Sequence, residues 1–328
     1  MSDVAFERAF DALAVRLGRS IQVPRSATWH VADGPTPVIV ATMPADALTQ
    51  NIQTDDAAVP SFAFCLAWWF ERFELFGPRS VRARVEITGD IPPSAHTNRS
   101  LFLLHELENL LGDRFTCSPA VHVPWPRQPL VNDRVDPAEA SVVWDGTGSE
   151  RDLECAFTTQ PQVVEQFAAI DRITGIRRQF PLGIFDGRIS SKTRWSPGGK
   201  SQIDLWASAV DGDTVHLFEL KKDGNLKVGM LPEALWYARL LHRIRVDDFG
   251  GMRVEGGGAN MDIVRSAKRL SMWLLAPSVH PLLLHDGRSP LEWLHGGLAA
   301  SGLDFGILPF RAGACLQLLP DDRWPLAS

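Results

Sequence analysis

The sequence predicts an α/β protein, with a mixed sheet flanked by helices in its second half and a smaller α/β domain before it. Three observations carry that prediction. Short apolar or alternating runs of strand length are interleaved along the chain with segments of helical period. An Asp-Gly step joins two such runs into a hairpin near the middle of the second half. Charge and proline also divide the chain. Residues 1–148 hold 12 Arg and no Lys against 18 Asp and Glu, whereas residues 149–328 hold 21 of each sign. The intervening VPWPRQPLVNDRVDPAEA (123–140) is rich in proline and polar side chains. We therefore expect an N-terminal domain over 1–125, a linker over 126–148 and a second domain over 149–328.

In the first half, Phe6, Phe10, Leu13 and Leu17 recur at helical spacing, and Gly18 follows where a C′ residue belongs. PVIVATM (37–43) reads as a strand and SFAFCLAWWFERFELFG (61–77) as a largely buried helix. VRARVEI (81–87) alternates like a half-exposed strand. NRSLFLLHELENLLGD (98–113) is an amphipathic helix, and FTCSPAVHV (115–123) is a further strand. The second half opens with SERDLECAFTTQPQVVEQF, two short helical pieces broken at Pro161. RQFPLGIF (178–185) reads as a strand and GRISSKTRWSPGGKS (187–201) as a polar loop. QIDLWASAV (202–210) and TVHLFELKK (214–222) form the hairpin. GMLPEALWYARLLHRI (229–244) is a long helix and SMWLLAP (271–277) a buried strand. Ser289 to Glu292 form a capping box with proline at N1 that opens a helix to about Ala300. LDFGILPF (303–310) and ACLQLLP (314–320) close the domain as strands.

Several classes of function are excluded. No run approaches the roughly 20 apolar residues that a membrane-spanning helix needs. MSDVAFERAF lacks the basic and apolar regions of a secretory signal. Cys65, Cys117, Cys155 and Cys315 lie far apart with no zinc spacing, so reduced thiols in a cytoplasmic protein are expected. The nine histidines form no HxxxH or Cys/His cluster. GGKSQ (198–202) lacks the full P-loop pattern and opens a strand, and no GxSxG or GxGxxG appears. The net charge of −6 argues against a protein that coats nucleic acid through bulk electrostatics.

The hairpin carries the chemistry. If Asp211-Gly212 is a two-residue type I′ turn, Val210 pairs with Asp213, and Asp204 falls opposite Glu219. Opposed carboxylates on an apolar hairpin are unfavourable unless a cation joins them. Lys221 projects from the same strand face as Glu219. Two hard oxygen ligands beside an ammonium suit metal-assisted phosphodiester hydrolysis, in which Mg²⁺ binds through one or two carboxylates, waters and substrate phosphate. The competing reading is a solvated surface ion pair. The flanking residues, Ile203, Leu205, Trp206, Leu217 and Phe218 among them, are instead those of a buried strand pair.

IDLW and FELKK, with fourteen residues between Asp204 and Glu219, resemble the PD-(D/E)xK nuclease superfamily, and more narrowly its RecB-like and NucS-like domains. The resemblance covers about residues 149–280 and implies a restriction-endonuclease-like fold. It further implies Asp204 and Glu219 as ligands of Mg²⁺ or Mn²⁺, Lys221 as the catalytic lysine, and DNA as substrate. SERDLECAFTTQPQVVEQF resembles the family's leading helix, with Gln160-Pro161 at its break. Glu150 matches the helix's glutamate, and Glu154, one turn later, is the alternative. Where these domains often carry Q-x-x-x-Y, this chain has Glu233 and Tyr237, a departure at the first position. Both would line the site. For Glu150, an exposed acid in a helix's first turn is the alternative role, and for Tyr237 it is core packing.

Residues 172–200 hold seven basic side chains and one acid, Asp186. They form either a solvated loop or a phosphate-contacting segment in which Arg177, Arg178, Arg194 and Lys200 bind substrate. The leading expectation is therefore a metal-dependent nuclease acting on DNA in defence or repair. Its rival is a non-catalytic nucleic-acid-binding or protein-interaction module on the same fold. The acidic first half offers a docking surface for a protein partner. Oligomeric state is left open, a homodimer included.

Overall fold

The computed structural model describes residues 3–132, 144–170, 172–197, 202–222, 227–313 and 315–325. The chain forms two compact units. The first comprises Met1–Pro124, Lys227–Glu233 and His280–Gly297; the second comprises Trp125–Leu226, Ala234–Val279 and Leu298–Ser328.

In the first unit, α1 (Val4–Arg16) is capped by Asp3, whose Oδ1 accepts the Phe6 N–H at 2.7 Å, and it stops at Gly18 with φ +62°. Then follow β1 (Thr28–Ala32), β2 (Val38–Pro44), α2 (Val59–Arg72), β3 (Arg82–Thr88), α3 (Ala95–Leu111) and β4 (Phe115–Ser118). The four strands lie in sequence order, β1 antiparallel to β2 and the other pairs parallel. Parallel neighbours need crossover connections, which α2 and α3 supply. Strand β3 alternates as its sequence predicts, with Ala83, Val85 and Ile87 buried and Arg82 and Arg84 exposed. The segment 280–297, expected in the second domain, belongs to this unit. The Trp69 indole N–H donates to the Leu282 carbonyl at 2.9 Å, and the Arg114 guanidinium lies 4.5 Å above the Trp293 ring. Leu282, Leu283, Leu291 and Leu294 are fully buried. A local reading of helical and strand periods does not register such a return of the chain.

The second unit begins at Trp125, just before the expected linker. Within that linker, residues Pro129–Val131 form β5, and 133–143 lie outside the described residues. After it come α4 (Glu150–Thr159), α5 (Pro161–Ala169), β6 (Ile173–Pro181), β7 (Ile184–Asp186), β8 (Gln202–Ala209) and β9 (Thr214–Leu220). Helix α6 (Met230–Arg245) starts in residues of the first unit and continues in the second. Next are β10 (Glu255–Gly256), α7 (Gly258–Ser266), β11 (Arg269–Ala276), α8 (Leu291–Ala300), β12 (Leu303–Ala312) and β13 (Leu316–Leu318). Six strands make one mixed sheet in the order β13-β12-β11-β9-β8-β6. The pairs β6–β8, β8–β9 and β12–β13 are antiparallel, and β9–β11 and β11–β12 parallel. The expected order of helix, strand, hairpin, helix and strand is present.

Helices α4 and α5 cover one face of this sheet. Phe157, Val163 and Phe167 pack there with Leu205, Phe218 and Leu275. Each side chain of that size contributes about 1.5–3 kcal/mol on full burial. A second, three-stranded sheet pairs β5 antiparallel to β7 and parallel to β10. Its strands are two or three residues long, too short to impose a period on the sequence.

Candidate functional site

The β8–β9 hairpin has the expected register. Leu205 pairs with Phe218, Trp206 with Leu217, Ala207 with His216 and Ser208 with Val215. The ladder ends at Leu205 and Phe218, and continuing its register sets Asp204 level with Glu219. The turn differs from the type I′ expectation. Four residues, 210–213, separate the strands, and Gly212 donates its N–H to the Ala209 carbonyl at 2.9 Å. Gly212 has φ +73°, while Asp211 stays on the negative side that a residue with a Cβ prefers. The Asp211 carboxylate instead accepts the Asp213 N–H at 2.9 Å, closing the turn through a side chain. The loop is longer than a two-residue turn by one residue on each side, so the expected pairing is kept.

Asp204 is half-buried, and its Oδ2 accepts the Leu220 N–H at 2.8 Å. Its carboxylate thus reaches across to the backbone between Glu219 and Lys221. Glu219 and Lys221 are buried, 2% and 4% exposed, and the Lys221 ammonium donates to Glu219 Oε1 at 2.5 Å. Lys221 also donates its backbone N–H to the Leu275 carbonyl of β11, which anchors the residue beyond the end of β9. Lys222 is exposed and donates from Nζ to the Gly148 carbonyl, at the foot of α4. Consecutive lysines on opposite faces follow from the two-residue strand repeat.

On α4, Ser149 and Asp152 form a reciprocal capping box, and its hydrogen bonds hold the Asp152 carboxyl below its usual range. The expected site residue Glu150 is in the helix's first turn. Its Oε1 is buried and accepts no hydrogen bond among the described residues. Glu154, one turn on, is 7% exposed; its Oε2 accepts from Arg178 Nε at 3.3 Å, Arg178 Nη2 at 3.2 Å and Gln179 Nε2 at 3.1 Å. Burial pushes its carboxyl up, and these donors only partly offset that rise.

The basic residues separate. Arg178, expected to bind substrate, is 7% exposed and ion-paired with Glu154, so it is an internal group and no part of a solvent-facing phosphate contact. The reason is backbone geometry. Strand alternation sets Arg178, paired with the core residue Leu205, on the side that α4 covers and Arg177 on the other, and Gln179, with φ +55°, also reaches Glu154 on α4. Nothing in the run RRQFP says which face α4 covers, and Gln179 goes unnoticed in the sequence. Arg177 is exposed, its guanidinium 4.9 Å above the Trp206 ring. Arg194 is exposed in the loop after β7, and Lys200 lies outside the described residues.

Glu233 is buried and accepts a hydrogen bond from the Gln53 amide, within the first unit. Tyr237 is 7% exposed, edge-on to Trp236 with ring centres 5.4 Å apart. Among the described residues, no group of three or more His, Cys, Asp or Glu side chains is arranged to hold a metal ion. All four cysteines are free thiols, and burial pushes those of Cys65 and Cys117 well up. No helix among the described residues is long and apolar enough to cross a membrane. Compared with family models, curated proteins and solved structures, the chain finds no match.

Proposed function

We propose that the second unit is a metal-dependent nuclease of the PD-(D/E)xK type, acting on DNA. One observation supports this reading: Asp204 accepts the Leu220 N–H, between an ion-paired Glu219 and Lys221 that are both almost fully buried. Charged groups are rarely buried without a partner or a role. Asp204 and Glu219 would hold Mg²⁺ or Mn²⁺, with waters and substrate phosphate completing the shell. The donor set fits a hard cation, and the buried, unsatisfied Glu150 Oε1 on α4 adds acidic demand to the same unit. When bound, such an ion activates water and offsets charge on the phosphoryl oxygens. Lys221 supplies an ammonium, pointed by its ion pair with Glu219, that orients the attacking water or bears on the scissile phosphate. Glu154, through Arg178 and Gln179, sets the path of β6 beside Asp204.

The Lys221–Glu219 pair also favours a second reading. It compensates its own charge without a cation, as a non-catalytic binding or interaction module would require. One assay separates the two. Circular single-stranded, circular duplex and linear DNA are incubated with the full chain in Mg²⁺, Mn²⁺ or EDTA. Cleavage that needs the ion and disappears in Asp204→Ala supports the nuclease. Binding with no cleavage in either ion supports the module.

A further inference from the structure

The small sheet β10-β5-β7 gathers basic residues from three distant stretches of chain. Arg127 precedes β5, Arg188, Lys192 and Arg194 lie in the loop after β7, and Arg253 precedes β10. All five are exposed. Among the described residues, Arg127, Arg188, Lys192 and Arg194 make no ion pair, and Arg253 has only Glu255 at 4.0 Å, with both side chains more than 60% exposed. A surface pair of that kind contributes little. Two of the five, Arg127 and Arg253, line a cavity of about 340 Å³ together with Gln128, Gly187, Glu255 and the apolar Pro129, Leu130 and Met252. Trp125, two residues before Arg127, is stacked on Trp195 at 5.9 Å and 8°, and packed so closely on the Gly250 turn that a Cβ there would come within 2.5 Å of its ring.

The chain itself joins this small sheet to the sheet of the candidate site. Strand β6 passes Asp204 at Gln179, pairs Pro181 with Gln202, and becomes β7 at Ile184. Gly187, which lines the cavity, thus follows β6 within a few residues, so a polyanion held at the cavity is led toward the Asp204 end of the hairpin. The charge is also out of keeping with the chain, whose net is −6. Exposed basic side chains, four of the five without an ion pair among the described residues, beside a partly apolar cavity match a single nucleic-acid strand, with phosphates on the charged groups and a sugar or base against the apolar lining.

We infer that this face of the second unit binds the phosphodiester backbone of single-stranded DNA and delivers it to the hairpin site. The inference rests on the nuclease reading for its direction, but its test stands apart from catalysis. A fluorescein-labelled single-stranded DNA 20-mer is titrated with the full chain in EDTA at several salt concentrations. The same is done for Arg127→Gln/Arg253→Gln, with Arg8→Gln/Arg19→Gln in the first unit as control. The cavity variant is expected to lose about tenfold or more in affinity and to lower the salt slope by roughly 1.4, the value for two phosphate contacts on a single strand. The control is expected to match wild type, and metal affinity at Asp204 and Glu219 is expected to be unchanged in both. If wild type binds and cleaves while the cavity variant shows the same affinity and slope, this face is not the substrate path, and the nuclease reading survives. If wild type binds no DNA at any salt concentration, both readings fall.

Discussion

Replacing Lys221 tests the site at its most constrained point. Lys221→Met keeps the stem and removes the charge, leaving the Glu219 carboxylate 2% exposed on the strand opposite Asp204. Breaking a buried pair by removing one partner costs about 3–5 kcal/mol, and at this burial solvent screening relieves little of it. Urea unfolding of the full chain should therefore show a loss of that size in EDTA. An ion bound between the carboxylates would restore part of it, about 2.7 kcal/mol at a concentration a hundred times its Kd. Turnover should fall by a factor of roughly 10² or more, the scale of one lost electrostatic or acid–base group. Lys221→Arg tests shape separately. A planar guanidinium cannot occupy the point of the ammonium 2.5 Å from Glu219, so turnover should fall on a similar scale with the charge retained. Lys222→Arg, exposed on the opposite face, should behave as wild type. If Lys221→Met costs less than about 1 kcal/mol and Mn²⁺ adds nothing to its stability, the pair is not held as described. Full cleavage by Lys221→Arg, or a dead Lys222→Arg, would show that the wrong lysine had been assigned.

Three further outcomes are expected. Asp204→Ala and Glu219→Ala should each abolish Mn²⁺ binding in calorimetry while leaving the circular dichroism spectrum intact; unchanged affinity in both removes them from any metal site. Arg178→Gln should destabilise the protein by about 3–5 kcal/mol by stranding Glu154, whereas Arg177→Gln and Arg194→Gln should stay within about 0.5 kcal/mol of wild type; equal effects would contradict the inward path of Arg178. Burial, with Arg239, Arg245 and Arg243 adding to it, holds His242 down to about 3, and burial alone holds His280 down to about 4. Both bind protons more readily in the unfolded chain, near 6.5, so the stability they confer is present above that pH and lost as pH falls toward the folded values. His242→Gln/His280→Gln should flatten the fall in urea midpoint between pH 7 and 5, and an unaltered slope would refute the assignment.

The hairpin was legible because alternation and a turn residue act over a few positions. Leu205, Ala207, Phe218 and Leu220 point to one side, which leaves Asp204, Glu219 and Lys221 on the other whatever the turn. Helices α1, α2, α4 and α6 were legible through their apolar spacing and caps. What escaped depends on distant chain. Strand β1, with Trp29 its one fully buried member, shows little period of its own. Strands β5 and β10 exist because β7 and Val131 lie beside them, so 126–148 read as a linker. Arg178 resembles its neighbour Arg177 in type, and the two differ only in the strand face they occupy, which residue type does not reveal. The return of 280–297 to the first unit left its mark as an ordinary capped helix, with nothing in Ser289 to Glu292 naming its partner.

That return has a consequence for synthesis. The first unit draws on residues up to Gly297, although its sheet is complete at Ser118. At roughly 5–20 residues per second, about 10–35 s of translation separate Pro124 from Gly297. Throughout that interval the nascent sheet and α2 lack the buried leucines at 282, 283, 291 and 294, and the Trp69 indole lacks the carbonyl it finally meets. An 18-residue segment made near the end of the chain is thus the closing piece of the domain made first. A ribosome stalled between these points would hold an incomplete apolar core, the kind of surface that chaperones bind and that aggregates when they are scarce.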